Sequence, residues 1–171
     1  MNQRITRELQ HIATGPLPDE KPFALGTVRF VAWCSGNAES VLTNAKEVLR
    51  IVAGATGISP DDPKWKELLP EWFIKRCSAE MTREQAELEL AKLSSMSAVE
   101  QVEEEESAAW PLSNWLHYFE PDNRNWYWWD GIILDQDIVV IAVEVDHWPF
   151  PAGSLKWLLR ASGATKVEPE P

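Results

Sequence analysis

The chain has 171 residues, 44% hydrophobic and 25% charged, with a formal net charge of −11; this is enough apolar chain to close one buried core. The acidic balance opposes nucleic-acid phosphates and anionic membrane surfaces, which attract clustered Lys and Arg, and favours a basic protein partner. The longest uncharged apolar run, Ile138 to Val143, is far short of a bilayer span, and the opening MNQRITRELQ has no apolar signal segment, so the expected compartment is the cytoplasm.

In chain order, Ile5, Leu9 and Ile12 at i, i+4, i+7 predict a short amphipathic helix over residues 2–13, stopped by Gly15 and Pro16. It is free either to pack on its own domain or to mate with a second copy. Pro16, Pro18 and Pro22 make a stiff connector. Residues 1–22 therefore form a leading segment, residues 23–165 the domain proper, and residues 166–171 (KVEPEP) have the composition of a disordered tail.

Thr27 to Cys34 is rich in β-branched and aromatic residues and reads as a strand. Asn37 is placed to cap a helix over 38–53, whose apolar positions Val41, Leu42, Ala45, Val48, Leu49 and Val52 follow helical spacing. Asp62-Pro63 starts another helix, which Pro70 must break near Leu69. Thr82 and Gln85 form a capping-box pattern opening a helix to about Ser94. Residues 95–108, with Glu103 to Glu106 in succession, read as a solvated loop or frayed helix, or else as an acidic patch for a basic partner.

Seven of the ten tryptophans fall between Trp110 and Trp157, which makes this stretch the most informative. It reads as a short helix from Trp110 to Phe119, two strands (Trp126 to Leu134 and Asp137 to Val145) joined by a tight Asp135-Gln136 turn, and a helix from Gly153 to Ala161. The second strand is almost wholly apolar, the pattern of a central strand covered on both faces. Strand alternation puts Trp126 and Trp128 on one face and Tyr127 and Trp129 on the other. The fold class expected is α+β: a small, mostly antiparallel sheet, built from the N-terminal strand and the C-terminal hairpin, packed with about five helices.

Motifs for chemistry are sparse. Cys34 and Cys77 read as reduced core thiols. Pairing Cys34 with His117 or His147 has no local signature behind it. His11, His117 and His147 are scattered, and the acidic groups beside His147 lie a strand's length, roughly 30 Å, from Asp135 and Asp137, so no metal is expected. No glycine-rich phosphate loop occurs and no cofactor is expected. Asp130, beside Trp129 and Gly131, and Glu144, in the apolar strand, are the weak candidates for acid–base work.

The functional expectation is a non-enzymatic, acidic protein-binding module for a basic partner, of which an inhibitor or immunity-type protein is one kind. The binding residues expected are Trp126 and Trp128 in the hairpin, Trp148 and Phe150 in a proline-stiffened loop, and Glu103, Glu104, Glu105 and Glu106. Two alternatives stand beside it. One is a Trp-lined small-molecule or carbohydrate pocket with hydrolytic activity through Asp130 and Glu144; the other is an oligomeric scaffold joined through the N-terminal helix.

Overall fold

In the computed structural model, which describes residues 2–171, the chain runs α1 (Gln3–Thr14), β1 (Gly26–Trp33), α2 (Ala38–Gly54), α3 (Trp65–Leu68), α4 (Glu71–Arg76), α5 (Arg83–Ser94), α6 (Ala98–Ser107), α7 (Leu112–His117), β2 (Trp126–Ile133), β3 (Ile138–Val145), α8 (Gly153–Ala161) and β4 (Lys166–Pro169). The four strands form one antiparallel sheet in the order β2-β3-β1-β4. This is the α+β arrangement expected, and β3 is internal, as its apolar run requires.

Register divides the sheet into two faces. Phe30 pairs with Ile141, Val28 with Val143 and Ala32 with Val139, while Trp126 and Trp128 pair with Val145 and Val143. These side chains share the inner face and merge with the apolar faces of α2 and α8 into one core. Trp115, Trp126 and Trp128 are among its largest enclosed side chains. Each ring buries roughly 150–250 Å², so the tryptophan-rich stretch is chiefly the core of the domain.

A bulge between Trp128 and Asp130 interrupts the alternation along β2. The extra residue moves Asp130 to the outer face, opposite Ala142, and turns Gly131 inward, opposite Ile141. A Cβ on Gly131 would meet Leu42 Cδ1 at 2.5 Å and Trp128 Cζ2 at 2.9 Å, so only glycine fits under α2 there.

Helix α1 packs on β2 and α2 of its own chain. The Ile5, Leu9, Ile12 stripe accounts for only part of this contact, because Glu8 and His11 are buried beside Ile12. β2 is an edge strand, and its backbone at Trp128 is sealed by the helix: the Trp128 N–H donates to Glu8 Oε1 at 2.8 Å, and His11 Nδ1 lies 3.3 Å from the Trp128 carbonyl. Covering an edge in this way removes a template for strand pairing. On the outer face, Glu144 forms an ion pair with Arg7, lies 3.2 Å from Arg4 Nη2, and accepts the Phe23 N–H.

Three local expectations are corrected. Residues 166–169 are not a tail but the strand β4, because Val167 and its neighbours pair with β1 and bury Val167 in the core. Residues 98–107 form a full helix, α6, because Ser97 and Glu100 close a second capping box like that of Thr82 and Gln85 on α5. Asn37 precedes α2 without a side-chain cap bond; the Ala38 N–H instead donates to the Gln136 carbonyl in the hairpin turn. No helix among the described residues is long and apolar enough to cross a membrane.

Candidate functional site

Helices α5 and α6 form an arm with no buried residue. Leu88, Leu90, Val99 and Val102 are all more than half exposed. The arm is anchored at its base by polar contacts. Arg160 of α8 donates from Nη1 to the Ala108 carbonyl and from Nη2 to the Glu105 carbonyl, Lys156 lies 3.3 Å from Glu106, and Ser78 N–H donates to the Trp110 carbonyl. Lys92 of α5 pairs with Glu104 of α6 at 3.6 Å, and Gln101 Nε2 donates to the Leu93 and Met96 carbonyls.

Between the arm and the body lies a groove of about 1240 Å³. Its floor and far wall come from Trp110, α7 and Tyr118, and from the Trp148–Ala152 turn that leads into α8. Trp110 and Tyr118 meet at a tilt with centroids 5.7 Å apart, and the Trp110 ring sits so close over Gly153 that a Cβ there would meet it at 2.8 Å. Trp148, next to a cis proline bond, is 56% exposed and contacts Phe150, which in turn meets Phe30 edge-on. The lining carries six carboxylates (Asp61, Glu89, Glu104, Glu105, Glu106 and Glu120) against two cations, Lys156 and Arg160. Lys156 is paired with Glu106, and Arg160 binds backbone carbonyls and keeps its charge; the carboxylates still outnumber the cations, so the groove presents net negative charge around an apolar, aromatic lining.

The structure sorts the expected site residues into three groups. Trp148, Glu104, Glu105 and Glu106 line the groove, and Glu103 lies on α6 outside it. Phe150 reaches the groove but is 9% exposed, acting as the support under Trp148. Trp126 and Trp128 are each 1% exposed in the core and have no surface for a partner; the physical reason is that the inner face of β2 meets α2 and α8. The indole of Trp126 instead donates to Ser154 Oγ at 2.9 Å.

Glu144 and Asp130 share the outer face but line neither this groove nor the second cavity described below. Glu144 is held by Arg4, Arg7 and the Phe23 N–H, and Asp130 accepts the N–H of its neighbour Gly131. Both thiols are free. Burial pushes both upwards, and with Glu80 nearby it takes Cys77 to about 11, the reverse of the shift that activates a cysteine nucleophile. Among the described residues no cluster of His, Cys, Asp and Glu could hold a metal ion.

Trp110, Tyr118, Leu90, Leu93 and Glu89 were not expected in a site. The leucines on α5 fall at 88, 90 and 93, which puts Leu88 on the face opposite Leu90 and Leu93, so the helix has no single apolar stripe to lay on a core. Compared with protein-family models, curated proteins and solved structures, the chain matches none.

Proposed function

We propose that this protein is a binding module that holds a basic, amphipathic segment of another protein in the groove between the α5–α6 arm and the body. The carrying observation is the composition of that groove: six carboxylates around Trp110, Tyr118, Trp148, Leu90 and Leu93. A Lys- or Arg-bearing helix or strand would lay its apolar side on the rings and leucines and direct its cations at Glu104, Glu105 and Glu106. Arginine or lysine over the exposed Trp148 ring adds a cation–π contact. The overall charge of −11 accelerates encounter with such a partner. An inhibitor of a basic enzyme is one protein of this kind.

The test uses a synthetic peptide of alternating lysine and leucine, titrated while tryptophan fluorescence is read. Binding should be saturable and should weaken by at least about tenfold between about 0.05 M and about 0.3 M salt, as screening removes the electrostatic part. The triple variant Glu104→Gln, Glu105→Gln, Glu106→Gln and, separately, Trp148→Ala should each weaken it. Equal affinity in the triple variant, or affinity indifferent to salt, would remove the proposal.

A further inference from the structure

A second cavity, of about 420 Å³, lies where the N-terminal end of α1, the C-terminal end of α2, the 55–60 loop and the end of α7 meet. That is within the volume range of roughly 300–1,000 Å³ usual for small-molecule sites. Its walls are apolar, formed by Ile5, Val52, Ile58, Leu116 and Phe119, and it shares only Ser59, Pro60 and Glu120 with the groove. At one side are Arg124 and Tyr127.

The Arg124 side chain is 3% exposed and is fixed from three directions. Its Nε donates to the Trp126 carbonyl at 2.8 Å, its Nη2 donates to Glu8, and its guanidinium rests 4.4 Å from the Tyr127 ring. Nη1 makes none of these bonds, yet it is not sealed in like the orphaned Nε of Arg4 and of Arg160. It is therefore a pre-positioned donor at a cavity wall, on a cation nine-tenths buried. Among the described residues the Tyr127 hydroxyl has no hydrogen-bond partner either, and it is likewise not among the sealed atoms. Burial pushes that phenol above its ordinary value, so it stays a protonated donor at neutral pH.

The donors at this wall, rather than its net charge, select the ligand: Arg4 lies 4.0 Å from the same Tyr127 ring but is itself met by Glu144 and Asp146, and Arg124 by Glu8. The carboxylate on Arg124 is Glu8, which is held through Nη2 and not through Nη1. The lining carboxylate, Glu120, is at the boundary with the groove and lies 3.4 Å from His117. Two free donors match the two oxygens of one carboxylate and are too few for a phosphate, and the remaining wall suits hydrocarbon.

From this geometry we infer that the cavity binds a small apolar monocarboxylate, with its carboxylate on Arg124 Nη1 and the Tyr127 hydroxyl and its hydrocarbon among Ile5, Val52, Ile58 and Phe119. The site is separate from the groove, so the two readings stand or fall independently.

The experiment is calorimetric titration of the full chain with sodium octanoate, octan-1-ol and octylamine. Octanoate should bind saturably, the alcohol at least about tenfold more weakly, and the amine more weakly still, since hydrogen bonds to a charged partner are the stronger kind. Ile58→Trp fills the cavity and should abolish octanoate binding with an unchanged circular dichroism spectrum. Tyr127→Phe, which leaves the ring and the fold in place, should weaken it by about threefold to tenfold, the loss of one hydrogen bond. The Glu104→Gln, Glu105→Gln, Glu106→Gln variant should bind octanoate like the wild type. The inference is overturned if octanol binds as tightly as octanoate, if folded Ile58→Trp retains binding, or if octanoate does not saturate at millimolar concentration.

Discussion

Glu8 is wholly buried, with one oxygen shared between Arg124 and the Trp128 N–H and the other, Oε2, without a partner. Removing one member of such a pair leaves an uncompensated buried charge, so Glu8→Ala should cost about 3–5 kcal/mol in urea unfolding. Glu8→Gln should behave differently. Burial raises the Glu8 pKa against the opposing pull of Arg124 and the Trp128 N–H. A folded-state value above the unfolded one means the group's contribution is complete below the unfolded value and is lost as pH rises through the folded one. Wild type should therefore lose stability relative to Glu8→Gln as pH climbs from the ordinary carboxylate range towards neutrality; a constant difference across that range would contradict the raised value. Nothing in the spacing of the first helix distinguishes Glu8 from exposed acids such as Glu39, because its burial depends on the backbone of a strand 120 residues away.

At the scale of elements, α2 and the α5–α6 arm are both well-formed helices with opposite roles. Eight residues of α2 are buried and none of the arm's. Leu49→Ala, deep in the core, should cost about 2–5 kcal/mol through its lost contacts and the cavity left behind. Leu88→Ser or Val99→Ser on the arm should change global stability by less than about 0.5 kcal/mol. Amide exchange should separate the two directly: the arm's amides should exchange through local opening and those of α2 only through global unfolding. The arm was only half legible in sequence. Its capping boxes, Thr82 with Gln85 and Ser97 with Glu100, are local hydrogen bonds and so belong to the sequence itself. Leu88 lies opposite Leu90 and Leu93, so the lack of a single apolar stripe on α5 is local too, whereas the pinning of Ser78 to Trp110 that sets where the arm stands is not.

For the molecule as a whole, the leading helix decides whether the sheet ends in an exposed edge. With α1 in place, the Trp128 backbone is capped and Tyr127 and Trp129 are covered by Arg4, Arg7 and His11. Deleting residues 1–22 should open that edge and those rings together. The shortened chain should associate, measured as a rise in mass by light scattering during size-exclusion chromatography. A stable, soluble monomer would show that α1 is dispensable as an edge cover. Of the two places open to this helix, its own domain or a second copy, its buried side chains are used on β2 and α2 of its own chain.

The amino-acid order alone determined the α+β class, the hairpin, the central place of β3, the helix breaks at Pro70 and the caps of α5. These follow from periodicity, backbone restriction and hydrogen bonds within a few residues. Tertiary structure alone decided which tryptophans are core. Trp126 and Trp128 are enclosed by α2 and α8, whereas Trp148 stays open at the groove. It also decided that a one-residue bulge sends Asp130 outward and Gly131 inward, and that Arg124 faces a cavity. The reason is the same in each case: burial and charge pairing are set by segments far apart in the chain, and a residue's own neighbours carry no record of them.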